Sequence, residues 1–87
     1  MSIIYKIPEN ITYESIDNNI YILNIENGKY FKLSDSASLI WNEIGQGICV
    51  EDIKTHLKFK FSDSDRIDDD VDETISQFIN LGLIKDN

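Results

Sequence analysis

Apolar and polar residues alternate along the chain up to about residue 33, and beyond it apolar residues recur every three or four positions, so the pattern predicts strands followed by helices. Ile and Tyr dominate the first region. Turn-forming groups at Pro8-Glu9-Asn10, Asp17-Asn18-Asn19 and Glu26-Asn27-Gly28 divide it into two or three antiparallel strands. The stretches 20–25 and 29–33 flank Asn27-Gly28, a pair suited to positive φ, and predict a hairpin with a tight turn there. A strand over 11–16 is expected to pair with the first of them through Asp17-Asn18-Asn19.

After Leu33 the period changes. Ser34 or Asp35 is placed to cap a helix whose Ala37, Ile40, Trp41 and Ile44 share one face, and Gly45 and Gly47 end it. A second helix over 50–59 has Val50, Ile53 and Leu57 on its apolar face, Phe61 just beyond it, Cys49 at the cap and Lys58 and Lys60 at its negative end. Ser62-Asp63-Ser64-Asp65 reads as a polar linker and the cap of a third helix over 66–81, with the face Ile67, Val71, Ile75 and Phe78 and the stop Gly82. Leu83 and Ile84 are expected to fold back as an apolar tail. The result is an α+β domain of three strands and three helices, with the helices covering one face of the sheet and residues 1–87 forming one unit.

Composition supports a folded but slender module. Of 87 residues, 41% are apolar and 16 are Ile, while Cys49 is the only cysteine, so no intrachain disulfide is available and a reducing, cytoplasmic setting is expected. No signal peptide or apolar run of membrane-spanning length is evident. A net charge of −8 repels phosphate backbones and argues against nucleic-acid binding.

The chain offers little catalytic chemistry. With one His and one Cys there is no metal site of the usual His and Cys kind, no phosphate loop, and no nucleophile and base pair, so no cofactor and no enzymatic activity are expected. His56 lies mid-helix and reads as a surface residue. The run from Asp63 to Glu73 suggests a calcium loop but fails its spacing: counting from Asp63, Ile67, Asp68 and Thr74 stand where an oxygen ligand, the glycine and the bidentate Glu are needed. Those carboxylates suit a helix start, solubility or a basic partner. Trp41, Tyr30, Phe31, Phe59, Phe61 and Phe78 read as core aromatics rather than a ligand cage.

The sheet edge is the feature with a use. If the strands meander in order, Lys29, Tyr30, Phe31, Lys32 and Leu33 lie at an edge whose unpaired main-chain groups can receive another strand. The lysines fit a guard against aggregation, and the same edge next to an acidic helix also fits a peptide-binding groove.

Asn27-Gly28-Lys29-Tyr30-Phe31-Lys32-Leu33, Ser36-Ala37, Ile40-Trp41, Val50-Glu51-Asp52-Ile53, Leu57, Phe61, Asp70-Val71, Ile75, Phe78 and Gly82-Leu83-Ile84, in that order, resemble the PqqD-like family across most of the chain. These are recognition elements that bind leader peptides of ribosomally made, post-translationally modified peptides. The resemblance implies a winged-helix-turn-helix-like domain in which the leader adds as a strand to the third strand and lies against the third helix. Carried over by position, the peptide-binding residues are Lys29, Tyr30, Phe31, Lys32 and Leu33 with Asp69, Asp72, Ile75, Ser76 and Ile79. Two departures stand out: Thr74 where a bulky apolar residue is usual, and the acidic helix start, which points to a polar or basic leader.

The expected function is therefore a stand-alone peptide chaperone that delivers a precursor's leader to a leader peptidase, as in lasso peptide systems, or to a radical modifying enzyme. A small adaptor that pairs through its edge strand as a homodimer is the alternative.

Overall fold

Asp17 and Asn18 both take positive φ, 52° and 68°, as a two-residue type I′ hairpin turn requires, and Asp and Asn tolerate that region better than most residues. The structure, a computed structural model, describes residues 3–61 and 65–86. They form β1 (Tyr5–Lys6), β2 (Ile11–Ile16), β3 (Asn19–Asn24), β4 (Tyr30–Lys32), α1 (Asp35–Gly45), α2 (Val50–Lys60), α3 (Ile67–Asn80) and β5 (Lys85–Asp86). The Asp17-Asn18 turn joins β2 to β3, and β4 follows on the other side of β3, giving an antiparallel sheet in the order β2-β3-β4.

The second hairpin differs from the tight Asn27-Gly28 turn expected. Asn24 N–H donates to Lys29 O at 2.9 Å and Gly28 N–H to Asn24 O at 2.8 Å, so four residues, 25–28, make the connection, and within it only Gly28 has positive φ, 74°. Side chains hold this wider loop: Asn24 Oδ1 accepts from Glu26 N–H at 3.0 Å and Asn27 Oδ1 from Lys29 N–H at 2.9 Å. Such local Asn bonds compete with ladder pairing, which is why β4 begins at Tyr30.

Register places Ile22 opposite Tyr13 on one side and Phe31 on the other. Ile11, Ile20, Ile22 and Leu33 are buried on the inner face of the sheet, toward the helices. The helices supply the other half of the core. Trp41 and Phe78 meet edge to face at 5.4 Å, and Trp41 meets Tyr13 in the same way at 5.3 Å. The Trp41 indole N–H finds no acceptor, so packing alone holds that fully buried ring. The expected helical faces are buried: Ile53 and Leu57 on α2, and Ile67, Val71, Ile75 and Phe78 on α3.

Helix ends are satisfied from several sources. Ser34 caps α1, its Oγ accepting from Ala37 N–H at 3.4 Å. Cys49 stands at the α2 cap but its side chain makes no capping bond; instead Val50 N–H donates to Ile3 O at 2.9 Å. The linker and cap expected at Ser62, Asp63 and Ser64 lie outside the described residues.

Two elements have no counterpart in the sequence reading. Tyr5–Lys6 and Lys85–Asp86 pair as a two-stranded antiparallel ribbon, with Tyr5 opposite Asp86. The expected apolar tail, Leu83 and Ile84, is buried and leads into β5. Three of the aromatics expected in the core are exposed, Phe59 at 88%, Tyr30 at 62% and Phe61 at 40%: Phe59 lies on the side of α2 opposite Ile53 and Leu57, Tyr30 on the uncovered side of the sheet, and Phe61 just past the end of α2. Among the described residues, no helix is long and apolar enough to cross a membrane.

Ser38 is buried, and its Oγ accepts the N–H of Ile20 at 3.3 Å. Ser38→Ala leaves that N–H without a partner inside the core, and a loss of about 1–3 kcal/mol is expected by urea denaturation. An unchanged midpoint would show that the bond contributes nothing to stability.

Candidate strand-addition edge

Hydrogen-bonding groups along a strand point alternately to its two sides, so the register of β4 decides which of them are free. Leu33 N–H donates to Ile20 O at 2.9 Å and Asn24 N–H to Lys29 O at 2.9 Å. These pairs, with Ile22 opposite Phe31 between them, direct the main-chain groups of Lys29, Phe31 and Leu33 toward β3. The N–H and C=O groups of Tyr30 and Lys32 therefore face away from the sheet.

Side chains alternate on the other axis. Tyr30 and Lys32 stand on the uncovered face, where the Tyr21 and Tyr30 rings are 6.1 Å apart and Lys32 Nζ lies 5.9 Å from the Tyr21 ring centre. Phe31 packs against the core from the helix side, half-buried. Leu33, among the expected binding residues, is buried; its side chain belongs to the core, and its N–H is already bonded to β3.

On α3 the placements differ more. Ile75 is 5% exposed and faces the core, not a groove. Asp72 is turned toward α2, where its Oδ1 lies 2.9 Å from Lys54 Nζ, and one turn earlier Asp68 Oδ1 lies 3.0 Å from Lys58 Nζ. Ile79, exposed, falls on the same side of the helix by its spacing from Asp72 and Asp68, while Asp69 and Ser76 are exposed on the outer surface opposite the buried stripe. The expected α3 set is thus split among the core, the α2 side and solvent.

The opposite flank of α3 borders a recess. A cavity of about 370 Å³ lies between α1, the end of α2 and α3, with Ile40, Leu57, Ile67 and Val71 as apolar walls and Ser36, Arg66, Asp70 and Thr74 as polar ones. Ser36 and Ile40 lie in the first two turns of α1, the helix that follows β4 after two connecting residues, so the recess is lined by the start of that helix. Asp70 and Thr74 are one helical turn apart, and Gln77 and Leu81 continue their stripe. Asp70, Thr74, Gln77 and Leu81 were not among the α3 residues expected to face a peptide, although Asp70 and Thr74 had been noted for other reasons. A signal was present: Lys54 and Lys58 match Asp68 and Asp72 in spacing, which assigns that side of α3 to α2 and leaves the Asp70 and Thr74 side free.

Two further side chains with reactive chemistry stand outside the edge and the recess lining. His56 Nδ1 lies 2.7 Å from Glu43 Oε1 and ties α2 to α1. Cys49 is a free, half-buried thiol. Among the described residues no group of His, Cys, Asp and Glu is arranged to hold a metal ion.

Among the described residues, a three-stranded antiparallel sheet with β4 paired on one side only, and three helices behind it, define a winged-helix-turn-helix-like α+β domain. The chain belongs to the PqqD family: the family model for coenzyme PQQ synthesis protein D matches residues 19–84, from β3 through the buried tail. Two solved structures share the fold. TbiB1 in complex with the TbiA(beta) leader peptide is 25% identical, with a TM-score of 0.86 over 92% of this chain and 94% of that one. A lasso peptide synthetase B1 complexed with the leader peptide is 18% identical, with a TM-score of 0.85 over 93% of this chain and 96% of that one. No curated protein matches the sequence.

The free edge is directly measurable by amide hydrogen exchange. Tyr30 and Lys32 amides are expected to exchange about tenfold or more faster than those of Phe31 and Leu33. Equal protection across the four would mean that the edge is already paired.

Proposed function

We propose that this protein binds the leader segment of a ribosomally made precursor peptide by strand addition to β4, and presents the precursor to a processing enzyme. The observation that carries the reading is the open edge at Tyr30 and Lys32, together with a recess lined by α1 and α3, on a chain whose fold matches two proteins solved with leader peptides bound. The edge supplies main-chain bonds to any extended segment, and the recess selects among segments by side chain.

In this reading the groove side of α3 is Asp70 and Thr74, with Gln77 and Leu81 farther along, in place of Asp69, Asp72, Ile75, Ser76 and Ile79. Thr74, being small, leaves room for a leader side chain. The role is binding without catalysis, and the enzyme it serves is a leader peptidase, as in a lasso peptide pathway. A disordered leader loses about 2–5 kcal/mol on ordering, so dissociation constants of about 0.1–10 μM are expected. The enzyme then meets its substrate at a raised effective concentration.

The test is an NMR titration with a synthetic leader from the precursor peptide encoded beside this chain. Saturable shifts are expected at the Tyr30 and Lys32 amides and at Asp70 and Thr74. Thr74→Trp, which fills the recess, is expected to weaken binding by about tenfold or more, a loss of about 1.4 kcal/mol, whereas Ile79→Asp leaves it unchanged. The reverse pattern would return the binding face to the α2 side of α3, and an absence of shifts at the β4 edge would remove strand addition altogether.

A further inference from the structure

The leader is expected to carry a charge of its own at a defined place. We infer that the residue directly across from Lys32 in the added strand is Asp or Glu. The inference rests on the strand-addition reading and adds a requirement to it.

Across the uncovered face of the sheet, Glu14 stands opposite Tyr21 and Tyr21 opposite Lys32, forming one row of side chains. Lys32 closes the row at the open edge. It is exposed, it rests near the Tyr21 ring, and among the described residues no carboxylate lies within 4 Å of its ammonium group. Whichever way an added strand runs, the residue across from Lys32 projects on the same face, with Cβ atoms about 4.5–5.5 Å apart. A carboxylate there meets an ammonium group with no carboxylate partner of its own.

The neighbouring positions do not offer this. The row through Tyr30 contains Leu23 and Thr12 and no charge. The residue across from Phe31 projects to the helix side, the side on which Phe31 itself packs against the apolar core. An acidic residue is thus accommodated at one of the three positions facing β4 and at neither neighbour. On a protein of net charge −8, an acidic residue elsewhere in the peptide meets mainly repulsion. The pair therefore sets register more than it adds affinity.

The experiment is selection of random 12-residue peptides displayed against the whole chain, in parallel on the native protein and on Lys32→Glu, with edge binders identified by shifts of the Tyr30 and Lys32 amides. Edge binders to the native protein are expected to share one Asp or Glu position whose replacement by Ala weakens binding about two- to fivefold. On Lys32→Glu the same position is expected to change to Lys or Arg. Edge binders with no shared charge, or with the same charge on both proteins, would overturn the pairing while leaving strand addition intact. A selection that yields no edge binder would overturn strand addition itself, and the pairing with it.

Discussion

The passage from β4 into α1 holds the rest of the molecule in place. Ile20 in the central strand uses its carbonyl to accept Leu33 N–H and its own N–H to donate to Ser38 Oγ, so one residue of β3 bonds the end of the edge strand and the first turns of the helix after it. Between them Ser34 caps α1. The strand cannot continue, because its next residues are committed to a helix, and the helix cannot swing away, because Ser38 is bonded to the sheet in the core. The angle between sheet and α1 follows from this. So does the position of α3, which packs on α1 through Phe78 and Trp41.

The acidity of α3 divides into two parts once α2 is in place. Asp68 and Asp72 face Lys58 and Lys54, and each such partly exposed pair is worth about 1 kcal/mol or less. Their larger effect is orientation: they turn one side of α3 to α2 and leave Asp69, Asp70 and Glu73, all exposed, on the rest of its surface. The excess of carboxylates beyond what a helix start uses thus adds mostly to solubility, and of these three only Asp70 lines the recess of the proposed site.

Much of the fold was legible because the features that build it are local. The Asp17-Asn18 turn, the Ser34 cap and the four buried positions of α3 are each decided by residues a few places apart. The β1 and β5 ribbon was not, since two-residue strands separated by most of the chain leave no periodic trace. Nor was the facing of α3. The spacing of Ile67, Val71, Ile75 and Phe78 locates the middle of the buried stripe, but its two flanks are equivalent until something beyond the helix distinguishes them, and Lys54 and Lys58 do so only when α2 is laid beside it. The β4 edge was legible as a place. Its two residues with free main-chain groups required the register, because a shift of one residue would exchange Tyr30 and Lys32 for Phe31.

The shortness of that edge constrains what can be recognised there. Toward the loop, Lys29 N–H is taken by Asn27 and its carbonyl by Asn24; toward the helix, Leu33 is bonded to Ile20 and Ser34 begins the cap. Tyr30 and Lys32 remain, offering one N–H and one C=O each. Four main-chain bonds at about 0.5–1.5 kcal/mol net amount to about 2–6 kcal/mol, close to the about 2–5 kcal/mol needed to order a disordered segment. An extended peptide that makes only those bonds gains almost nothing. In the proposed reading, net affinity then comes from side chains in the recess and across from Lys32, so that the contacts that make a peptide bind are the ones that distinguish it from other peptides, and the length of the edge works against sequence-tolerant adhesion.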